Sequence, residues 1–192
     1  MENTILIEDD FLDNVEEIRD ISLKINYARK EEILQNLESL GLYFNIGWAG
    51  CRTEKLEYYK DPIFNNIQEK ILDTVSEYYG ISGYLIESHF HYTTSLHDNE
   101  DFHNNKFHKD PSQFAGLIYL NPDPPKKTGT SIIDHKENKI IDTENVYNRL
   151  IAYPSNFLHA ATNLFGNNIE DGRMTLVFFI TQHPRDYWSS VE

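Results

Sequence analysis

A chain of 192 residues is ordinarily one domain, long enough to bury a substantial core, and its 17 Lys plus Arg against 31 Asp plus Glu give a formal charge of −14. Such a charge disfavours attraction to a phosphate backbone, so a nucleic-acid partner is not expected, although a local basic channel would be compatible with it. The one cysteine, Cys51, excludes an internal disulfide and fits a reducing compartment; with no basic, apolar leader and no apolar run of membrane-spanning length, a cytoplasmic protein without a membrane partner is expected.

Thr4 to Glu8 reads as an edge strand, and Asp13 or Asn14 as the cap of a helix whose apolar positions Val15, Ile18, Ile21, Leu23 and Ile25 keep helical period only in part. Residues 30 to 40 read more clearly as helix. Gly50-Cys51-Arg52-Thr53 is expected to be a turn, with Arg52 a candidate for holding a substrate carboxylate. Asp61-Pro62 opens the next helix, Pro at its first position. There Ile63, Ile67, Ile71 and Val75 recur at i, i+4, one stripe for packing against a sheet, and Gly80 is a natural stop. From Gly83 onward the pattern is strands and loops, beginning with the His89-x-His91 pair. The polar stretch Thr93 to Lys106 has the composition of an ordinary surface loop or of a lid or substrate-contacting loop. Phe114 to Leu120 is an apolar strand ending at Asn121-Pro122, and Pro122 to Lys127 is an exposed connection. A further strand runs from Arg149 to the Pro154-Ser155 turn, with a short extended stretch to His159, and Arg173 to Ile180 forms the last. Helices first and then a run of strands argue for an α+β domain spanning residues 1–192, with 1–82 a helical support region and 83–182 the core.

The chemistry resides in four side chains of that second part. His108-Lys109-Asp110 puts an imidazole and a carboxylate at i and i+2, which share a face in extended backbone. His159 follows 49 residues after Asp110 and Arg173 14 residues after His159. Two imidazoles and one carboxylate on a single face of a metal leave open positions, the arrangement of non-haem Fe(II) oxygenases. An arginine beyond the third ligand can grip a distant carboxylate through its planar fork. Alternation along the last strand puts Thr175 on the face of Arg173.

These residues, with Tyr119-Leu-Asn121, Thr128-Gly-Thr-Ser131, Tyr153-Pro-Ser-Asn-Phe-Leu-His159 and Arg173-x-Thr175, resemble the Fe(II)/2-oxoglutarate-dependent dioxygenases in their prolyl-4-hydroxylase-like branch over roughly residues 83 to 182. The resemblance implies a double-stranded β-helix, or jelly roll, with the N-terminal helices packed on the major sheet. It implies Fe(II) bound by His108, Asp110 and His159, and 2-oxoglutarate gripped at its far carboxylate by Arg173 with help from Thr175 and Tyr119. With dioxygen, such an enzyme hydroxylates an unactivated C–H bond of a peptidyl, amino-acid or small-molecule substrate and releases succinate and carbon dioxide. Asp110 favours hydroxylation, because related halogenases carry a small residue at that position. The chain departs from the family in placing Thr128-Gly129 where a double glycine is usual, and it resembles the arginine-using members, since animal collagen prolyl hydroxylases have lysine at the Arg173 position.

Other readings stand beside this one. A cupin-type metalloenzyme that does not use 2-oxoglutarate predicts metal binding alone, and a non-catalytic jelly-roll module predicts neither metal nor oxidation. Taken singly, His108 and Asp110 also suit a surface histidine and a turn aspartate before Pro111, His159 a core histidine, and Arg173 a surface partner of Glu170 or Asp171. His89 and His91 are a competing metal pair without a third ligand in comparable context, so they are read as pocket-lining or packing residues. His97, His103, His135 and His183 are read as solvated. Oligomeric state is not legible.

Overall fold

Two antiparallel sheets with helices against the larger one form the computed structural model, which describes residues 5–41, 48–98, 102–103, 106–134 and 139–182. In chain order the elements are β1 (Leu6–Glu8), α1 (Val15–Ser22), β2 (Ala28–Arg29), α2 (Lys30–Ser39), β3 (Cys51–Arg52), α3 (Pro62–Tyr79), β4 (Tyr84–Thr93), β5 (Phe114–Tyr119), β6 (Thr130–Asp134), β7 (Lys139–Thr143), β8 (Leu150–Pro154), β9 (Leu158–Ala161) and β10 (Arg173–Gln182). The major sheet runs β1-β8-β5-β10-β4-β3-β2 and the minor sheet β7-β6-β9. This is a jelly roll with its helices on the outer face of the major sheet, the arrangement expected from the resemblance. Among the described residues no helix is long and apolar enough to cross a membrane.

The outer core forms because α3 carries its apolar residues in one stripe. Asp61 accepts a hydrogen bond from the Ile63 amide at 3.0 Å, Pro62 occupies the first turn, and Gly80 ends the helix in a left-handed conformation at φ 64°. Phe64, Ile67, Ile71 and Val75 then bury against Phe90, Ile118, Leu176 and Phe178 of the sheet. Two polar bonds fix the helix to the strands beneath it: Gln68 Nε2 donates to Ser88 Oγ at 2.8 Å and the Tyr79 hydroxyl to the Ala152 carbonyl at 3.0 Å.

Alternation sends the other residues of the same strands inward. The register places Thr175 opposite both Tyr119 and His91, and Val177 opposite Leu117 and His89. Leu117, Tyr119, Ile151, Tyr153 and Val177 pack with Ile132 of the minor sheet, so the two sheets close on one another through this face.

Two expectations are corrected. Gly50-Cys51-Arg52-Thr53 is not wholly a turn: Cys51 and Arg52 form β3, pairing with Tyr92 and His91, and only Gly50, at φ 91°, makes the bend. Asn14 is the first residue of α1's cap but its side chain makes no capping bond, donating instead to Glu17 Oε2 at 3.1 Å. The helix over residues 30 to 40 forms, yet it buries none of its residues and so adds little to the core. Thr4, His135, His183 and part of the Thr93 to Lys106 stretch lie outside the described residues.

Candidate metal centre

His108 and Asp110 lie just before β5, in extended chain that is not itself a strand. His108 forms an isolated bridge with His159, its amide donating to the His159 carbonyl at 3.1 Å and its carbonyl accepting from the His159 amide at 3.0 Å. Two residues on, the Asp110 amide donates to the Ser155 carbonyl at 3.2 Å, and the Ser112 and Ser155 hydroxyls meet at 2.7 Å. Ser155 belongs to the turn between β8 and β9, closed by the Phe157 amide on the Pro154 carbonyl at 3.0 Å. The segment carrying the first two candidate ligands is thereby clamped to the turn and strand carrying the third.

Among the described residues, the group of His, Cys, Asp or Glu side chains able to hold one ion is His108, Asp110 and His159, one ligand atom of each lying within 4.8 Å of the others. His159 Nε2 is 3.1 Å from Asp110 Oδ2 and His108 Nε2 is 3.9 Å from Oδ1. Each imidazole uses its other nitrogen locally. His108 Nδ1 donates to the Lys106 carbonyl at 2.8 Å and His159 Nδ1 to the Phe157 carbonyl at 3.1 Å. A carbonyl only accepts, so both Nδ1 atoms carry a proton, and both Nε2 atoms face the carboxylate, that of His159 within hydrogen-bonding distance. Burial lowers the pKa of His108, and the neighbouring His159 lowers it further. For Asp110, burial acts to raise the pKa but is outweighed by the hydrogen bond from His159 and the surrounding positive groups, which hold the carboxyl below its ordinary range. A neutral imidazole beside an ionised carboxylate is the state in which a divalent cation finds its ligands.

Arg173 is 3% exposed and pairs with neither Glu170 nor Asp171. Its Nε donates to the Thr128 carbonyl at 3.1 Å, and Nη2 to the Gly129 carbonyl and the Thr130 hydroxyl, each at 3.3 Å. A Cβ at Gly129 would collide with the Thr143 carbonyl, so the Thr-Gly pair suffices to bring backbone acceptors under the guanidinium. Tyr119 is fully buried; its hydroxyl meets Thr130 Oγ1 at 2.8 Å and Thr143 Oγ1 at 3.0 Å, and the Arg173 guanidinium lies 5.5 Å from its ring. Thr175 faces the same interior and donates to the His91 carbonyl at 3.3 Å. Burial lowers the Arg173 pKa, with Tyr119 opposing.

The HxH pair does not join the triad's group of ligand atoms. His91 Nε2 donates to the Ala49 carbonyl at 2.6 Å, while His89 lies between the Thr53 carbonyl at 2.9 Å and Glu87 at 3.0 Å. His97 and His103 are not simply solvated: the first accepts from the Thr94 amide at 2.9 Å and the second pairs with Asp98 at 2.8 Å. Tyr153, quoted above only as part of a motif, is a wall residue that sequence reasoning missed. It is buried with its ring 4.8 Å from that of His159, and burial near Asp110 raises its phenol pKa well above normal, keeping it neutral. The signal was the alternation of β8, which sends Ile151 and Tyr153 inward together.

The fold is similar to those of solved prolyl hydroxylases and of a non-haem α-ketoglutarate-dependent epimerase. A Pseudomonas putida prolyl-4-hydroxylase superposes with a TM-score of 0.57 at 12% identity, covering 95% of this chain and 94% of that one. A prolyl hydroxylase from Trichoplax adhaerens, solved with a peptide fragment of the hypoxia-inducible factor oxygen degradation domain, gives 0.55 at 11% over 100% and 88%. SnoN, a non-haem α-ketoglutarate-dependent epimerase from nogalamycin biosynthesis, gives 0.60 at 10% over 94% and 78%. By sequence, no family model and no curated protein matches.

Proposed function

We propose that the chain is an Fe(II)- and 2-oxoglutarate-dependent dioxygenase that hydroxylates an unactivated C–H bond of a peptidyl, amino-acid or other small-molecule substrate. The observation that carries this reading is the orientation of the donors: two imidazoles whose Nδ1 protons are taken by backbone carbonyls present both Nε2 atoms to one carboxylate, within 4.8 Å. That donor set fits a divalent metal with open positions, and His108, Asp110 and His159 are the proposed ligands. Fe(II) held there with 2-oxoglutarate and dioxygen supplies the oxidising equivalent for the C–H bond, with succinate and carbon dioxide as by-products.

The remaining residues have protein-side roles. Arg173 is anchored through Nε and Nη2, which leaves Nη1 without a partner among the described residues and available to a carboxylate. Tyr119 holds Thr130, which holds Arg173, so the phenol positions the fork. Thr175 stands on the same face with its oxygen able to accept or donate. Leu117, Ile151, Tyr153 and Val177 supply an apolar wall that excludes water from the reacting centre. Peptides and small molecules are both handled by proteins of this fold, one neighbour having been solved with a peptide fragment and another being an epimerase of a biosynthetic pathway.

The test is anaerobic addition of Fe(II) and 2-oxoglutarate, read as the weak visible charge-transfer band of the chelated complex. The band is expected in the wild type and absent in His159→Ala. Metal binding without a band would assign the cupin-type reading, and no metal binding at all would assign a non-catalytic module.

A further inference from the structure

A second arginine faces the same interior, with no hydrogen-bond acceptor or ion-pair partner among the described residues. Arg52 on β3 is opposite His91, whose own strand neighbour is Thr175, so its side chain leaves the sheet on the inner face. The guanidinium lies 4.5 Å from the Trp48 ring centroid and 5.5 Å from that of Phe179. Its Nε is shut off from solvent and has no hydrogen-bond acceptor, and among the described residues no carboxylate forms an ion pair with it. The nearby acid that would neutralise it is engaged elsewhere: Glu87 pairs with Lys55 and with His89. Burial lowers the Arg52 pKa to about 10, partly offset by the charges of Asp110 and Glu87, both close enough to be felt. The group thus stays cationic at neutral pH.

A guanidinium whose Nε is buried without an acceptor is a standing cost to the fold, relieved when an anion arrives. Aromatic rings stacked against it hold the fork in one orientation and leave its edge open. Arg173 differs in its acceptors, three of which hold it in place.

We infer that Arg52, stacked on Trp48, is a second carboxylate receptor, and that the prime substrate carries a carboxylate which it holds beside the metal centre. This rests on the proposed function for the words prime substrate and metal centre, but the binding itself is testable without turnover. The carboxylate comes either from a free small acid, such as an amino acid, or from an acidic side chain of a peptide. The apolar rings of Trp48 and Phe179 accommodate the adjoining carbon skeleton.

Trp48 is itself the reporter. With the other tryptophan removed (Trp188→Phe), Trp48 emission is titrated, in the presence of 2-oxoglutarate, with free L-amino acids and their amides in one arm. The other arm uses amidated pentapeptides carrying Asp or Glu and their Asn or Gln counterparts. Carboxylates in one arm are expected to titrate saturably and their amides not, and the responding arm names the source. Arg52→Met should weaken that binding by at least about tenfold, the loss expected for one charge-assisted bidentate pair, and Arg52→Lys should fall between. The 2-oxoglutarate charge-transfer band should be unchanged in Arg52→Met. Arg52→Met should also melt no lower than wild type, because a buried Nε without an acceptor has been removed. The inference is overturned if no acid titrates in either arm, if amides bind as well as acids, if Arg52→Met binds unchanged, or if it melts lower than wild type, which would make the guanidinium a structural cation. Acid binding that persists where the charge-transfer band never forms would retain this receptor and reject the proposed function.

Discussion

The two inward-facing arginines show how the same side chain acquires different roles from its acceptors. Arg173 is held by the Thr128 and Gly129 carbonyls and the Thr130 hydroxyl, so its remaining amino group is aimed before any ligand arrives. Arg173→Ala is therefore expected to raise the 2-oxoglutarate concentration needed for the charge-transfer band by about one to two orders of magnitude, the worth of a charge-assisted pair. An unchanged requirement, measured by anaerobic titration, would remove Arg173 from that role. Its candidacy was legible in the sequence because Arg173-x-Thr175 lies on a strand whose period is two. The threonine hydroxyls that occupy the Tyr119 phenol were not, because Thr130 and Thr143 come from β6 and β7 and meet it only once the sheets close. His108 and Asp110 were legible as a pair, but their extended backbone is maintained by one bridge to His159 and one bond to Ser155 rather than by membership of a strand.

At the scale of elements, β10 decides most of the architecture. It lies between β5 and β4 at the middle of the major sheet, sending Arg173, Thr175 and Val177 inward and Leu176, Phe178 and Ile180 to the helices. Phe178 is fully buried and lies over Gly116 on β5, where a Cβ would collide with the phenyl ring and the Ile151 carbonyl. Phe178→Ala should cost about 3–5 kcal/mol in urea unfolding, as large-to-small core changes do; a shift below about 1 kcal/mol would mean that the helix-facing core closes without it. Long elements such as α3 and β10 declared themselves because ten or more residues repeat a period. Two-residue β3 has no period to read, and what makes Cys51 and Arg52 a strand is the edge of β4 beside them. The stretch over residues 30 to 40 shows the converse, a helix legible from its period whose lack of burial is decided by what lies next to it.

For the whole molecule, the acidic charge sets how stability responds to pH, and Glu87 is the clearest contributor. The hydrogen bond from His89 is the largest effect on it; burial opposes, and the Lys55 ion pair reinforces, so that its pKa falls to about 2. A carboxyl with a lower pKa folded than unfolded contributes stability that is complete above the unfolded value and is lost as pH falls through the folded value. The wild type should therefore lose stability from the ordinary glutamate value, about 4.3, down towards pH 2. Glu87→Gln should flatten that limb, which urea midpoints between about pH 2 and 6 will measure; parallel curves would show that Glu87 titrates alike in both states. The sequence by itself determined the class of fold, the placing of α3 ahead of the long strands, and the residue types able to hold a metal and a carboxylate, because these depend on local period and on chemistry carried within a few residues. Only the tertiary structure decided which imidazole nitrogens are free, what anchors Arg173, that Tyr153 walls the centre, and that Arg52 faces inward unpaired, because each of those depends on groups brought together from distant parts of the chain by the closing of two sheets.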